Sequence, residues 1–528
     1  MDKILTEGLR FRDGNGRIRL FNGMNIDDKL LGQQSFRYNL DEDFFKKYIS
    51  CGFNIIRLAV TWANIEPSPG RYNESYLESI DGIFRLAEKY GVYILIDMHQ
   101  DLFSGYGGVG AGDGAPEWAS LTDGNTPKEH KAVWIEGYLW GKWVHSAFDH
   151  FWKNDKVCGR GLQDRFAELW QMLARRYGES PALFGFDLFN EPFPGSESKR
   201  MFKTLVRCAL REIMTSKKIE RKLIVRSLVK KDMPALLDCV GGNVVRDIMS
   251  NIDSLVREFD LKKYSPFLNK MTAAIREITP NGIIMIEQSF LCNGGVSQSV
   301  PPITVNGERE PLQCYGPHSY DMTVDTPLYK YANADRVKAF FGEMANTQKR
   351  LDVPVIVGEW GGCSDNKDTS WFPHAFELLD FFDDMNWGQI YWDYHGDDLD
   401  SPLMLMLSRT YPVALAGEPV SIKTDREKGI FTLKYRSDAP GESIIYVHTE
   451  ADISCDGEVS VIAEYDGGAR LLSIEAKTGE HYIEVRWENY EVKNLGQSAS
   501  RQQNNHAQCI KHRKMGRLSF GTARAFYF

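Results

Sequence analysis

Two glutamates stand where acid–base chemistry would need them. Glu191 closes an apolar run over residues 183–189 and sits in Asn190-Glu191-Pro192, and Glu359 follows a second run over 354–358 and precedes Trp360. Short apolar runs bounded by turn residues read as buried strands. Pro192 has no N–H and biases the residue before it to extended backbone, so Glu191 is expected to be extended and presented beside Asn190 at a strand's rim. Taken alone, Asn-Glu-Pro reads equally well as a turn. The second glutamate changes that. Two carboxyls facing one another are what hydrolysis of a glycosidic bond requires, one protonated to release the leaving oxygen and one ionised to attack the anomeric carbon. Neighbours separate their pKa values. Arg57 and the hydroxyl of Tyr320 would favour charge on Glu359. Glu191, with His318 nearby and Asn190 engaged by a sugar 2-hydroxyl, would be the acid/base.

Those residues need a frame that brings distant strand ends together. Apolar strands are expected at 18–25, 53–60, 92–97, 183–189, 282–287, 312–315, 354–358 and 389–394, with helices at 41–50, 75–90, 162–177, 336–350 and 375–385. Alternation of this kind means parallel βα units, and eight strands point to a closed (β/α)8 TIM barrel of the α/β class, not an open sheet. In that fold chemistry belongs at the strands' C-terminal ends. Those ends carry Arg57, Asp97 with His99 and Asp101, Asn190 with Glu191, Glu287 with Gln288, His318 with Tyr320, Glu359 with Trp360, and Trp392 with Asp393. A rim Arg alone is often a scaffold ion pair and a rim Trp a plug. Seven such ends together point to a site.

The barrel is assigned to residues 1–411, with a helical insertion at about 196–278. Residues 98–161 read as a long loop holding Trp118, Trp134, Tyr138, Trp140, Trp143, Phe151 and Trp152. These rings are either ordinary loop core or flat faces for sugar and lipid. After residue 412 short alternating segments broken by Asp-Gly and Gly-Gly turns predict a β-sandwich over 412–490. It is expected to pack on the barrel as a stabilising unit, ahead of serving as a binding module. Residues 491–528 are polar, basic and aperiodic, and no structure is expected there.

The 528 residues are 43% apolar and 26% charged, as in a soluble globular protein, and the net charge of −9 argues against a nucleic-acid partner. Nine cysteines without CxxC spacing read as free thiols. His99 with Asp97 and Asp101 forms no convincing metal set, and no cofactor is expected. Residues 1–10 lack the apolar core of a signal peptide, and no stretch approaches the ~18 apolar residues of a membrane span. A cytoplasmic or peripheral-membrane location is expected, or secretion if a leader precedes this sequence. Residues 199–231 hold twelve Lys or Arg against two Glu, with Met201, Phe202, Leu205, Val206, Leu210 and Ile213 at helical spacing. This reads as a basic amphipathic helix, either a solvated hairpin or an attachment to anionic membrane, where each basic residue contributes ~1 kcal/mol.

In their order along the chain, Arg57, His99, Asn190-Glu191-Pro192, His318-x-Tyr320, Glu359 and Trp392 resemble the motif set of glycoside hydrolase family 5, retaining (β/α)8 enzymes. The resemblance spans roughly residues 18–411. Asp97-Met-His-Gln-Asp-Leu-Phe-Ser104, Asn190-Glu-Pro-Phe-Pro-Gly195 and Gly358-Glu-Trp-Gly-Gly362 are similar to the endoglycoceramidases of that family, as is Tyr411-Pro-Val-Ala-Leu-Ala-Gly417 before a sandwich. The resemblance implies Glu191 as acid/base, Glu359 as nucleophile, and sugar contacts from Asp97, His99, Asn190, Tyr320 and Trp392. Arg57, Gln288, His318 and Trp360 complete the expected binding set. The implied substrate is a glycolipid, cleaved between glycan and ceramide. The alternatives are a β-glucosidase for glucosylceramide or steryl glucosides, an endoglucanase, or a non-catalytic glycolipid-binding barrel.

Overall fold

The eight apolar runs form one parallel sheet in a computed structural model, which describes every residue except 106–111, 127–133, 216–225, 228, 231–236, 238–239, 364 and 489–528. The strands are β1 (Asn22–Asp27), β2 (Ile55–Thr61), β3 (Tyr93–His99), β4 (Leu183–Asp187), β5 (Ile283–Glu287), β6 (Gln313–Gly316), β7 (Ile356–Val357) and β8 (Gly388–Tyr391). Each pairs with its sequence neighbour, and β8 pairs with β1. Parallel bridges from Tyr315 to Val355 and from His318 to Glu359 join β6 to β7 and close the barrel. Every residue of β1, β2 and β3 is buried, as expected where helices cover the outer face and side chains fill the inner one.

Helices Glu42–Ser50, Glu74–Tyr90, Leu162–Tyr177, Ser265–Arg276, Ala334–Leu351 and Phe372–Met385 lie along the chain between the strands. Asp41 caps the first by accepting from the N–H groups of Asp43 and Phe44. The 98–161 stretch is not a loop throughout. It contains the helices Glu136–Trp140 and Lys142–Trp152, because Tyr138, Phe151 and Trp152 bury themselves among Phe189, Phe193 and Phe267, and Trp143 is buried as well. Phe151 stacks on Phe189, just ahead of Asn190, with ring centroids 5.2 Å apart. Most of the aromatic stretch is therefore core that braces the end of β4.

The single strand expected over 18–25 divides. Ile18–Arg19 pairs with Tyr411–Leu415 of the C-terminal domain, and the chain then enters the barrel as β1. Leu5–Glu7 and Arg10–Arg12 join the same sheet, so the extreme N-terminus belongs to the sandwich. That sheet has seven strands and faces a four-stranded one over a core of Phe431, Leu433, Ile445, Leu472, Ile483 and Val485. The sandwich packs on the barrel, as its sequence suggested. The hydroxyls of Tyr411 and Tyr446 donate to the carbonyls of Gly52 and Ser50 at 2.7 and 2.6 Å, and Arg409 forks onto Asp383 at 2.6 and 2.8 Å. The 491–528 tail lies outside the described residues. Among the described residues no helix is long and apolar enough to cross a membrane.

Candidate active site

Arg57 is the centre around which the strand ends are arranged. Its guanidinium is fully buried, and each of its nitrogens donates. Nε reaches Asp187 (2.8 Å), Nη1 reaches Asn25 and Glu359 (2.9 and 2.8 Å), and Nη2 reaches Asn190 and Glu287 (2.9 and 2.6 Å) with Asp97 at 3.1 Å. One cation thus faces four carboxyls from four strands. Burial pushes both Asp187 and Glu287 above the usual carboxylate range, Glu287 the further with the charge of Asp187 beside it. The upward shifts reflect the cost of gathering four buried carboxyls around one cation, a cost the Arg57 charge opposes.

Glu359, at the end of β7, accepts at both oxygens: from Arg57 at 2.8 Å and from the Tyr320 hydroxyl at 2.7 Å. Glu191 is placed differently. Its Oε1 accepts from Asn293 Nδ2 at 2.6 Å and lies 3.0 Å from His318 Nδ1. Burial, reinforced by the charge of Asp101, raises its pKa to about 7. His318 lies between the two glutamates, and burial drops its pKa to about 4, so it is neutral at physiological pH. Facing oxygens of Glu191 and Glu359 and the His318 nitrogen lie within 4.8 Å of one another.

The expected extended backbone at Glu191 is not found. Its φ is +42°, in the left-handed region, and its N–H donates to Glu287 Oε2 at 2.7 Å. Gln100 holds the same turn from the other side, donating through Nε2 to the carbonyl oxygens of Asn190 and Glu191 at 2.8 and 3.3 Å. Tertiary hydrogen bonds override the local bias of a residue before proline.

A cavity of about 660 Å³ opens over this pair. One end is polar. His99 stacks on Trp392 with ring centroids 5.1 Å apart, its Nδ1 is 2.7 Å from Asp97, and its Nε2 has no hydrogen-bond partner. Burial opposes charge on this ring, but Asp97 and Asp101 together outweigh it and carry the pKa up to about 10. Lys29 bonds Asp101 at 2.6 Å and sits 4.4 Å over the Trp392 ring. The other end is apolar, walled by Phe290, Leu291, Phe202, Leu205, Val245 and Met249. Asn293, the partner of Glu191, sits on the same Phe290–Gly294 turn as two of these wall residues.

The expected residues sort into two groups. His99, Asn190, Glu191, Tyr320, Glu359 and Trp392 line the cavity, whereas Arg57, Asp97, Gln288 and His318 stand behind that wall. Gln288 donates to Asn293 and to the His318 carbonyl, at 2.8 and 2.6 Å, and so positions both. Trp360 is displaced from its expected role. It follows Glu359, and strand alternation turns it away from the barrel axis, where it is fully buried edge-on to Phe382 and Tyr391. Asp101, expected at the end of β3, lines the cavity too, and Lys29 and Asn293 join it from segments with no pattern to mark them. Among the described residues three sets of side chains come close enough to hold an ion: His99 with Asp101 and Asp113, Asp97 with Asp187 and Glu287, and Glu191 with His318 and Glu359. In the first two, Lys29 and Arg57 already stand where a cation would be.

Comparison with known proteins bears on the same residues. Residues 15–226 and 255–398 match the model of cellulase (glycosyl hydrolase family 5), and residues 409–512 match the glycoside hydrolase family 5 C-terminal domain. An endoglycoceramidase of Hydra vulgaris is 32% identical over 213 residues, which is 35% of this chain and 40% of that protein. Endoglycoceramidase I of Rhodococcus hoagii is 22% identical over 446 residues, covering 82% of this chain and 77% of the relative. Among solved structures, endo-glycoceramidase II from Rhodococcus sp. in a cellobiose-like imidazole complex superposes with a TM-score of 0.68 at 22% identity, over 91% of this chain and 99% of that one. Sterylglucosidase 1 of Cryptococcus neoformans superposes with a TM-score of 0.66 at 16% identity, over 92% and 97%. These structural likenesses establish a shared fold. The family model covers well over half of the chain, including both glutamates and the strands that carry them, and so the chain is a glycosidase and belongs to glycosyl hydrolase family 5.

Proposed function

We propose that this enzyme is a retaining β-glycosidase that hydrolyses the bond between glycan and ceramide in glycosphingolipids. Glu359, an acceptor at both oxygens, attacks the anomeric carbon. Glu191, protonated below about pH 7, gives its proton to the departing ceramide oxygen. Water then enters, loses a proton to Glu191 and releases the sugar from Glu359 with its configuration retained. The observation that carries this reading is the pairing of two unlike glutamates whose facing oxygens lie within 4.8 Å of one another, one accepting from Arg57 and Tyr320 and the other with its pKa raised to about 7, as a nucleophile and an acid/base must be. The apolar arm supports a lipid leaving group, because it begins on the turn that holds the proton donor. The polar end, with His99, Asp101, Lys29 and Trp392, suits sugar hydroxyls and a ring face.

A fluorescent glycosylceramide separated by mass spectrometry tests the bond and the head group together. Release of intact ceramide with a β-configured sugar is expected, and an inverted product or intact substrate would refute the reading. Glucosylceramidases of Rhizopus delemar and Cryptococcus neoformans and an ergosteryl-β-glucosidase of Saccharomyces cerevisiae are also relatives, at 28%, 25% and 37% identity over part of the chain. Preferential release of a sterol from a mixed lipid extract would shift the assignment to those aglycones.

The same reading extends to an anionic membrane surface as the place of attack. In the helix Ser198–Thr215, Phe202 and Leu205 line the cavity, while Val206 and Leu210 are each 57% exposed. Lys203, Arg207 and Arg211 recur along the adjoining strip at helical spacing. The rest of the basic segment lies mostly outside the described residues. Binding to phosphatidylserine vesicles that weakens with salt and with Leu210→Glu is expected, and binding insensitive to both would rule the surface out.

A further inference from the structure

Glu287 is a buried carboxylate that joins Arg57 to the main chain of Glu191, and the double-displacement reading gives it no chemical step. It ends β5, is 1% exposed and lies outside the cavity wall, so it touches no substrate. Its two oxygens serve different partners. Oε1 accepts from Arg57 Nη2 at 2.6 Å, and Oε2 accepts from the main-chain N–H of Glu191 at 2.7 Å. Its own carbonyl is held by Gln298 at 2.6 Å and by the Tyr264 hydroxyl at 3.3 Å. The side chain is therefore fixed, and its geometry is imposed on Glu191. Glu191 needs that support: a residue with a Cβ is rarely stable at φ +42°, and the proline after it favours extended backbone.

We propose that Glu287 is a positioning residue for the proton donor: it pins the Glu191 main chain in the left-handed conformation that brings its carboxyl to Asn293 and His318, opposite Glu359. This role rests on the assignment of Glu191 as the acid/base. Arg57 has Asp97, Asp187 and Glu359 besides, so the nucleophile's side of the network does not depend on Glu287 alone.

Glu287→Gln separates these roles. A guanidinium can only donate, so the amide oxygen stays on Arg57 and the NH2 turns toward the Glu191 N–H, donor against donor. Glu191 then loses its anchor while Glu359 keeps its place. The test uses the full chain and two aryl β-glycosides, one with an activated dinitrophenolate leaving group and one with a leaving group that needs protonation. The expected result is a loss in kcat/KM of about 10²-fold on the second, within the range general acid catalysis supplies, against less than about threefold on the first. For the first, kcat falls through slower release of the glycosyl enzyme, and azide, which needs no base, restores it. Equal losses on both glycosides, or no loss, would overturn the role. Glu287→Asp is the second variant if the Gln protein does not fold. It keeps a carboxylate on Arg57 but falls one methylene short of the Glu191 N–H, and the same selective loss is expected. A wild-type chain that turns over neither glycoside overturns the functional reading of the site, and the role of Glu287 with it.

Discussion

Replacing Asn293 with leucine should move the alkaline limb of the pH–rate profile upward. Glu191 Oε1 accepts from Asn293 Nδ2 at 2.6 Å, and this bond favours the ionised form, opposing the burial that raises the pKa to about 7. A hydrogen bond to a charged group is worth about 1.5–3 kcal/mol, and one pH unit corresponds to about 1.4 kcal/mol. Loss of the bond in a site kept dry by an isosteric apolar side chain therefore raises the limb by about one to two units, to between about pH 8 and 9. Gln288, which also donates to Asn293, keeps the His318 carbonyl as a partner, so the neighbouring turn retains most of its support. The assay is kcat/KM against pH on a glycoside whose leaving group needs a proton, with circular dichroism across the range to show that the fold persists. On a dinitrophenyl glycoside the limb should be absent, because protonated Glu191 is not needed. A limb that stays near pH 7 in a folded Asn293→Leu protein, or moves to lower pH, would refute the assignment of Glu191 as the buried acid.

The remaining predictions follow from the same geometry. Glu191→Gln should stabilise the protein at pH 8 and have little effect at pH 5. A carboxyl whose pKa rises on folding from 4.5 to about 7 holds more protons folded than unfolded, so stability falls as pH climbs through that window, by at most about 3 kcal/mol, and melting curves at the two pH values read the difference. Glu359→Gln should lower turnover by several orders of magnitude on activated and unactivated glycosides alike, since both need the nucleophile, and near-normal turnover of either would remove Glu359 from that role. Ending the chain at Thr410 should give insoluble protein, because the barrel surface at Gly52 and Ser50 loses Tyr411 and Tyr446; soluble, active enzyme would show that the sandwich is dispensable.

The barrel was legible because parallel strands buried on both faces are continuous apolar runs, and eight of them separate cleanly in this chain. The glutamates were legible because each ends such a run, where an ionisable residue has no packing reason to be. Trp360 misled for the same reason that Glu359 did not. Adjacent residues at a strand end face opposite sides, and a list of rim residues does not say which faces the axis. Asp187 was visible as a lone acid inside Phe186-Asp187-Leu188, yet its partner Arg57 lies 130 residues away and nothing local names it. Lys29 and Asn293 come from loops whose positions depend on the closed barrel. The apolar arm draws Phe202, Leu205, Val245 and Met249 from an insertion whose helices show the same spacing whether they face a core, a cavity or solvent.

The arrangement around Arg57 explains why the two glutamates differ although both are buried in the same barrel end. Glu359 receives the guanidinium directly, whereas Glu191 reaches it only through Glu287, which takes the Arg57 bond at one oxygen and the Glu191 N–H at the other. On the proposed roles, the cation hydrogen-bonds the nucleophile, and through Glu287 the acid's main chain, while its charge reaches the acid's carboxyl only as a lesser, opposing influence. At the Glu191 carboxyl, burial and the negative charge of Asp101 outweigh the Asn293 amide and the positive charges of His99 and Arg57, and the neighbouring His318 is neutral. In the proposed mechanism, a direct bond from Arg57 keeps one carboxyl ready to attack, and burial keeps the other protonated. Moving that positive charge within reach of Glu191, by replacing Asn293 with lysine, should therefore cost the enzyme its proton donor while sparing substrates that need none. Measured as the ratio of the two aryl glycoside rates at pH 6, that variant should fall well below wild type, and an unchanged ratio would mean that the division of charge around Arg57 is not what separates the two glutamates.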